Sequence, residues 1–552
     1  MIEEMKIKKT YYSAIALALV SCSTMDEMLP EGMFMTSQQV NDAVTAIPDR
    51  AEADLAGIYS FAGQAHSTFT TNGSIHNDFG YPSVCMFQDC NGPDMVCDNS
   101  NYNWMSVSHN YTDRNDDYIV CYIRYSYFYN QIALCNSVLS DMSGINLDEA
   151  SSELRHNAGQ ALAVRAFDYL GLAPYYSFRY QDNPDALSVN LMTEDTKDYY
   201  NNPRVTLREV YELIISDLDR AIDYLSDYNR GGDKSRVDQN VAYGLRARAY
   251  LNMGMYAEAA EDAAKAMEGY TPYSMKEVGT PAFCNINDHN WMWGIMLESD
   301  NVAGLASWPA HLASFTATGY TTATGMYKRI NKLLYDKIPA TDVRKGWWVN
   351  ESLDSPLLST IKWNGRTGKA IASMTIPDIK LPFKEYTTVK FGQKQGIGST
   401  DNASDWCIMR VEEMILLRAE GLAMSGQEGL ARTELENFVR TYRDPSYTCS
   451  ASSAEELQEE IWKQRRIELW GEGFSMSDIM RLKKPVVRIQ SGVVTNWPSA
   501  YGFNVAPDDP YLLLRFPQRE TNNNKAIPSS SNKSGSLPVA GQRGDLRDGV
   551  TD

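Results

Sequence analysis

Histidine is scarce, with six scattered through 552 residues. That leaves no histidine pair spaced to hold a metal and no His-based catalytic array. Neither a nucleophile motif nor a phosphate-binding glycine loop is found. Basic residues are in deficit, 51 against 70 acids, for a formal charge of −19. This excess of acid argues against nucleic acid and against direct binding to anionic lipid. Eight cysteines follow Cys22, and Cys85, Cys90 and Cys97 stand close together. Their spacing matches no zinc pattern, so buried thiols or disulfides are the open alternatives. Long hydrophobic runs are missing too, apart from one at the start of the chain.

That run is "ALALVSCSTMDE", beginning at Ala16. A start at Met5 places Lys6, Lys8 and Lys9 ahead of an apolar segment of ten residues, Tyr11 to Val20. A membrane span needs about 20 residues, so the segment reads as a secretory signal. Leu19-Val20-Ser21-Cys22 resembles the lipobox of bacterial lipoproteins, which implies cleavage before Cys22 and its lipidation. Residues 1–21 are therefore expected to be a lipoprotein signal peptide, and 22–45 a lipidated N-terminal linker. Several acyl chains on one cysteine anchor stably where a single chain does not.

Behind the linker, apolar residues recur at helical spacing. In "LREVYELIISDLDRAIDYL", Leu207, Val210, Tyr211, Ile214, Leu218, Ala221 and Ile222 form one stripe, with Thr206 placed to cap the helix. "LRARAYLNMGMYAEAAEDAAKAM" carries Ala247, Tyr250, Gly254, Tyr256, Ala259 and Ala266, a spacing that resembles a tetratricopeptide repeat. The pattern returns 172 residues later, with Ala419, Leu422, Gly426 and Ala431 in register. A partial third copy has Ala166, Tyr169 and Ala173. An apolar-Arg-Ala triplet leads each copy, at Arg165, Arg246 and Arg418. Arginine recurring at such a seam suits a structural fork donor between helices. The fold class is mainly all-α: tetratricopeptide-like helix pairs separated by long irregular insertions, at about 66–117 and 271–405. A single domain over 46–520 is expected, followed by a mobile Asn/Ser/Gly-rich tail at 521–552.

Three stretches resemble the SusD/RagB family of Bacteroidetes outer-membrane lipoproteins. They are "IMRVEEMILLRAEGLAMSG", "QRRIELWGEGFSMSDIMRLK" and "LLLRFPQRETNNN". The second aligns Arg465, Arg466, Glu468, Leu469, Glu472, Gly473, Asp478 and Arg481 with the family's charged series. The third places Pro517, Glu520 and Asn523 or Asn524. "HNDFGYPSVCMFQDCNGPDMV" looks like a subgroup motif. Ser475, Met476 and Ser477 depart from the family's usual Arg and two aromatics, and Arg515-Phe516 from its Pro-Ile. The resemblance implies a SusD-like, surface-exposed nutrient-binding lipoprotein with no catalytic activity and no cofactor. It implies glycan capture and delivery to a SusC-like TonB-dependent transporter at the outer membrane, with the protein lipid-anchored and facing the cell exterior. It also implies that Asp26 and Glu27, just behind Cys22, act as a surface-export signal.

The charged series from Arg465 to Arg481 is read as an ion-pair network locking helices together. Glycan binding favours exposed aromatic faces with amides and acids beside them. Six of the eleven tryptophans fall between 291 and 363. The candidates are Trp104, Asp89 and Asn91 in the first insertion, and Trp291, Trp293, Trp308 and Tyr320 in the second. "NWMWG" alternates Trp291 and Trp293, so both are expected on one strand face. Asp113, Asn115 and Asp117 start like a calcium loop, but Tyr118 holds the position that needs glycine, and no metal site is assigned. Three other readings stay open: a RagB-like protein capturing oligopeptides, a periplasmic tetratricopeptide scaffold, and a glycoside hydrolase. Contiguous repeats of about 34 residues are lacking for the scaffold, and the hydrolase needs a carboxylate pair across a cleft.

Overall fold

The stripe beginning at Leu207 becomes a helix because its own residues define the start. The Thr206 side chain accepts from the Glu209 N–H, and the Glu209 carboxylate accepts from the Thr206 N–H, closing a capping box. The stripe from Leu207 to Ile222 is buried. The structure, a computed structural model, describes residues 49–66, 75–373 and 379–552. The signal peptide, the linker with Cys22, Asp26 and Glu27, and the first residues of the expected domain lie outside the described residues.

The main helices are α1 (Asp49–Gly63), α2 (Tyr81–Asn91), α3 (Ile119–Asp141), α4 (Ser152–Tyr176), α5 (Leu207–Tyr224) and α6 (Gln239–Met253). They continue with α7 (Tyr256–Ala266), α8 (Val411–Met424), α9 (Glu428–Tyr442), α10 (Ala454–Glu468) and α11 (Ser475–Arg481). Neighbours in sequence pack as neighbours in space: α4 on α5, α6 on α7, α8 on α9, with α7 also against α8. Strand content among the described residues is three short antiparallel ribbons. β1 (Met95–Val96) pairs with β5 (Arg329–Ile330), β2 (Leu187–Asn190) with β3 (Arg204–Thr206), and β4 (Trp291–Ile295) with β6 (Trp406–Arg410). The fold is all-α in its scaffold, and one hydrophobic core runs from Leu55 on α1 to Val550 near the C-terminus.

Each triplet arginine bridges the two helices of its pair. Arg165 on α4 donates Nε and Nη2 to Asp217 on α5 at 2.8 and 2.9 Å. Arg246 on α6 holds Asp262 on α7 the same way, at 2.6 and 3.0 Å. Arg418 on α8 pairs with Glu434 on α9, again 16 residues downstream. Gly254 and Gly426 close the first helices of the last two pairs, with φ of +79° and +80°. Both sites carry a bond closing six residues: Met255 N–H to the Tyr250 carbonyl and Gln427 N–H to the Leu422 carbonyl, each 2.9 Å. A left-handed residue is needed there, so glycine is the residue of choice. Gly421 has a different reason: a Cβ would lie 2.7 Å from the Tyr256 carbonyl oxygen, so α8 and α7 meet backbone to side. The third copy has no such turn, because α4 runs on through Pro174 to Tyr176 and the β2–β3 ribbon precedes α5.

A buried charge cluster joins the second insertion to this scaffold. Glu468, at the end of α10, lies 2.8 Å from Arg410, 2.8 Å from Arg443 and 3.2 Å from Arg344. Glu472 accepts from Arg410 at 2.8 Å and Lys390 at 2.5 Å, Glu412 pairs with Arg443 at 3.2 Å, and Asp342 with Arg344 at 2.6 Å. Four cations face four carboxylates, all of them buried, so the charges balance. The guanidiniums of Arg443, Arg410 and Arg344 hold the Glu468 carboxyl well below its usual range despite burial, which pushes the other way. A second chain runs Arg465–Asp478–Arg481–Glu420, with contacts of 2.6–2.9 Å. The family-like charged series is thus a network within the core.

Two expectations are corrected here. The first insertion is not irregular throughout, since α2 lies inside it with Pro82 to Asn91 buried. The tail at 521–552 is docked. Asp548 pairs with buried Arg466 at 2.8 Å, Ile527 is fully buried, and Gln490 Nε2 donates to the Thr551 carbonyl at 3.1 Å. A polar composition signals mobility only when no buried charge is waiting for a partner, and Arg466 is such a charge.

Candidate functional site

The two insertions meet at a cluster of rings. Trp104, from the first, and Tyr320, from the second, have ring centroids 6.2 Å apart at 61°. His76 completes a triangle with them, 5.0 Å from Trp104 and 5.8 Å from Tyr320. Its Nδ1 is 2.5 Å from the Tyr320 hydroxyl. His311 stacks on the far side of Tyr320 at 4.9 Å, and its Nε2 is 2.7 Å from the His76 carbonyl oxygen. A carbonyl only accepts, so His311 carries its proton on Nε2. Burial pushes the His311 imidazole down to about 3, so it is a neutral structural donor.

The loop "CDNSNYNW" presents Trp104. Asn103 shapes it from inside, donating Nδ2 to the Asp98 carbonyl at 3.1 Å and accepting from the Met105 N–H at 3.1 Å. Asp98 is tied to Arg329 at 2.6 Å and to Lys384, which anchors the loop to the second insertion. Asn77 Nδ2 donates to the Trp104 carbonyl at 3.0 Å, and the Tyr501 hydroxyl to Asn99 at 3.0 Å. Trp104 is partly exposed, Tyr102 is 56 % exposed, and Asn99 and Asn101 face solvent. A held, partly exposed ring on a loop with exposed amides suits the C–H face and hydroxyls of a sugar.

The other sequence candidates take structural places. Trp291 and Trp293 do form a strand, β4, but every residue of it is buried. Trp293 packs on Phe167 at 5.0 Å, and its indole N–H donates to the Ser235 carbonyl. Trp308 opens a short helix and is 1 % exposed, wedged against Trp406 and Phe391. These three rings therefore offer no open stacking face, which corrects the expectation placed on them. Asp89 and Asn91 are corrected likewise, because α2 turns both inward. Asn91 accepts from Arg124 and donates to the Ser108 carbonyl and Asp113, each within 3.0 Å. Asp113 is also bound by Arg114 and Arg124, so its carboxylate belongs to that buried cluster. Asp89 accepts from the N–H groups of Gly473 and Ser475 at 2.9 and 3.3 Å.

His76 and His311 were missed in sequence. The signal for His76 was the motif "HNDFGYPSV", which it opens; His311 had none beyond its rarity as a residue type. Of the candidates, Trp104 and Tyr320 are the pair that the fold brings together.

A helix-pair scaffold carrying long, anchored insertions is the class that this fold defines. Two family models match the chain: one described as starch-binding, associating with the outer membrane, over residues 83–251, and the SusD family over 315–530. The chain belongs to the SusD/RagB family. Among solved structures, a SusD-like carbohydrate binding protein from Bacteroides vulgatus is 24% identical, covers 89% of this chain and 98% of its own, and has a TM-score of 0.68. A SusD superfamily protein from Bacteroides thetaiotaomicron is 20% identical, with 87% and 98% covered and a TM-score of 0.67. A laminarin binding SusD-like protein is 17% identical, with 86% and 98% covered and a TM-score of 0.59. A search of curated proteins finds no match.

Asp89 makes a pH-dependent prediction. Burial, helped by the charge of Glu472, outweighs the Gly473 and Ser475 N–H groups and Lys390 and pushes its carboxyl up to about 7, above the ~3.9 of an unfolded chain. The folded state binds the extra proton between those values, so this group lowers stability as pH rises from ~4 to ~7. Asp89→Asn removes that loss. Urea unfolding is expected to show the variant gaining on wild type by ~1 kcal/mol or more between pH 5 and pH 8. A difference that stays constant with pH contradicts the assignment.

Proposed function

We propose that this protein captures glycans, as oligo- or polysaccharide, at the cell surface and passes them to a partner SusC-like TonB-dependent transporter in the outer membrane. The Trp104–Tyr320 cluster carries the reading. It presents the partly exposed Trp104 ring, backed by the nearly buried Tyr320 of the other insertion, on a loop whose Asn99 and Asn101 are exposed. The family match and the laminarin binding of a protein with this fold support it. Binding without turnover is supported by the charged series, whose carboxylates at Glu468, Glu472 and Asp478 are each held by cations. Groups held ionised in this way are poor general acids.

The membrane attachment is a lipid anchor at Cys22. Among the described residues no helix is long and apolar enough to cross a membrane. Asp26 and Glu27, directly behind the cysteine, are the surface-export signal. Replacing both by Ala is expected to leave the protein anchored but protected from protease added to intact cells. Continued shaving of the double variant contradicts the signal.

The binding site is tested by titrating the chain from residue 23 onward against a panel of polysaccharides that includes laminarin. Trp104→Ala is expected to weaken the tightest complex about tenfold, as loss of a central aromatic contact does. Tyr320→Ala is expected to do the same and also to lower stability, because Tyr320 is nearly buried in a small core with Cys97 and Met326. Wild-type affinity in both variants contradicts this site, and binding of peptides but no polysaccharide contradicts the substrate class.

A further inference from the structure

A cavity of about 280 Å³ opens between α1 and the β4–β6 ribbon, away from the aromatic cluster. Tyr59, Arg236, the buried Trp293 and Asn301 line it, with the exposed Ser60 and Met296 at its solvent side. Met296 is 50 % exposed although it follows a buried strand directly. The volume is near the lower end of ligand pockets, about 300–1,000 Å³, which suits a sugar unit rather than a chain.

Arg236 indicates the chemistry of the ligand. Its Nη2 lies 2.7 Å from Glu52 and its Nε 3.8 Å from Asp233, and the guanidinium sits over the Tyr59 ring at 4.9 Å. Its Nη1 is buried with no partner among the described residues. An unpaired buried N–H calls for an acceptor, and Arg236 lines this cavity. Two carboxylates already surround this one cation, so the local excess is negative and an acidic ligand is disfavoured. The half-exposed Met296 thioether and the partly exposed Tyr59 ring favour an apolar face. A neutral, hydroxylated ring meets all three demands.

The cavity also lies close to the platform along the chain. Asn301 lines it, and Leu305, four residues on, packs against the cluster that holds Tyr320 and Trp104. Four residues span at most ~14 Å, so one oligosaccharide can reach both places. We propose that this cavity is a second subsite, taking a neutral pyranose unit of the same glycan; this rests on the glycan reading above.

The test uses calorimetric titration with neutral gluco-, manno-, galacto- and xylo-oligosaccharides and with an oligouronate, at up to millimolar concentration. Ser60 is exposed on α1, so Ser60→Trp closes the mouth without entering the core. Ser60→Trp and Arg236→Met are each expected to weaken the tightest neutral oligosaccharide about fivefold or more. The Trp104→Ala/Tyr320→Ala double variant is expected to keep weak binding that Ser60→Trp then removes. Binding that is insensitive to Ser60→Trp overturns the subsite and leaves the platform standing. Tighter binding of the oligouronate overturns the charge argument. No binding of any oligosaccharide by wild type overturns the subsite and the glycan reading together.

Discussion

An ionised carboxylate buried without cations is costly, and Glu468 is fully buried yet held ionised. The rest of the architecture can be read from how that charge is met. Arg410 comes from the end of β6, Arg443 from just beyond α9, and Arg344 from the second insertion. Three parts of the chain far apart in sequence must converge before the site is neutral. The same cluster draws in Lys390 through Glu472, so the insertion is clamped at two of its own residues. A long loop clamped by buried charge is an ordered part of the core, and it can hold a side chain such as Tyr320 in a fixed position. Asp98 then fastens the first insertion to the second through Arg329 and Lys384. The aromatic platform is the downstream result of these two charge clusters.

The scaffold under them obeys a simpler rule. Each helix pair needs close approach and one polar tie across the seam. Small residues such as Ala247, Ala259 and Gly421 give the approach, and the triplet arginines give the tie. The tie is bidentate at Arg165 and Arg246, which a lysine could not reproduce.

This layer was legible in the sequence, because it repeats. The spacing from Arg to acid, the left-handed glycines and the stripe of α5 are local patterns, and local geometry imposes them. The charged series was legible in kind, although its partners Arg344 and Lys390 lie in an insertion with no periodicity to read. The binding surface was legible only in part. Trp104 and Tyr320 share their composition signal with Trp291, Trp293 and Trp308, yet only Trp104 is partly exposed, with the nearly buried Tyr320 ring packed against it. A tryptophan suits a core wall and a sugar platform equally well, and its neighbours in space decide between them. β4 shows the difficulty: alternation suggests two rings on one face, but every residue of β4 is buried, and its register with β6 shifts between Trp291 and Trp293. Asp89 and Asn91 failed for a related reason. They sit on a short helix whose every later residue is buried, so a polar type did not mean an exposed one. The docked tail depended on Asp548 reaching Arg466, a contact between residues 82 positions apart that no local pattern announces.

The most direct test of this account is the unfolding free energy of Glu468→Ala beside that of Glu434→Ala, measured in urea at neutral pH. The first leaves buried guanidiniums without their shared carboxylate, and the account predicts a loss of about 3–5 kcal/mol. The second breaks a partly exposed pair, and the predicted loss is about 1 kcal/mol or less. Equal small losses in the two variants would contradict the view that buried charge at Glu468 holds the insertion to the scaffold.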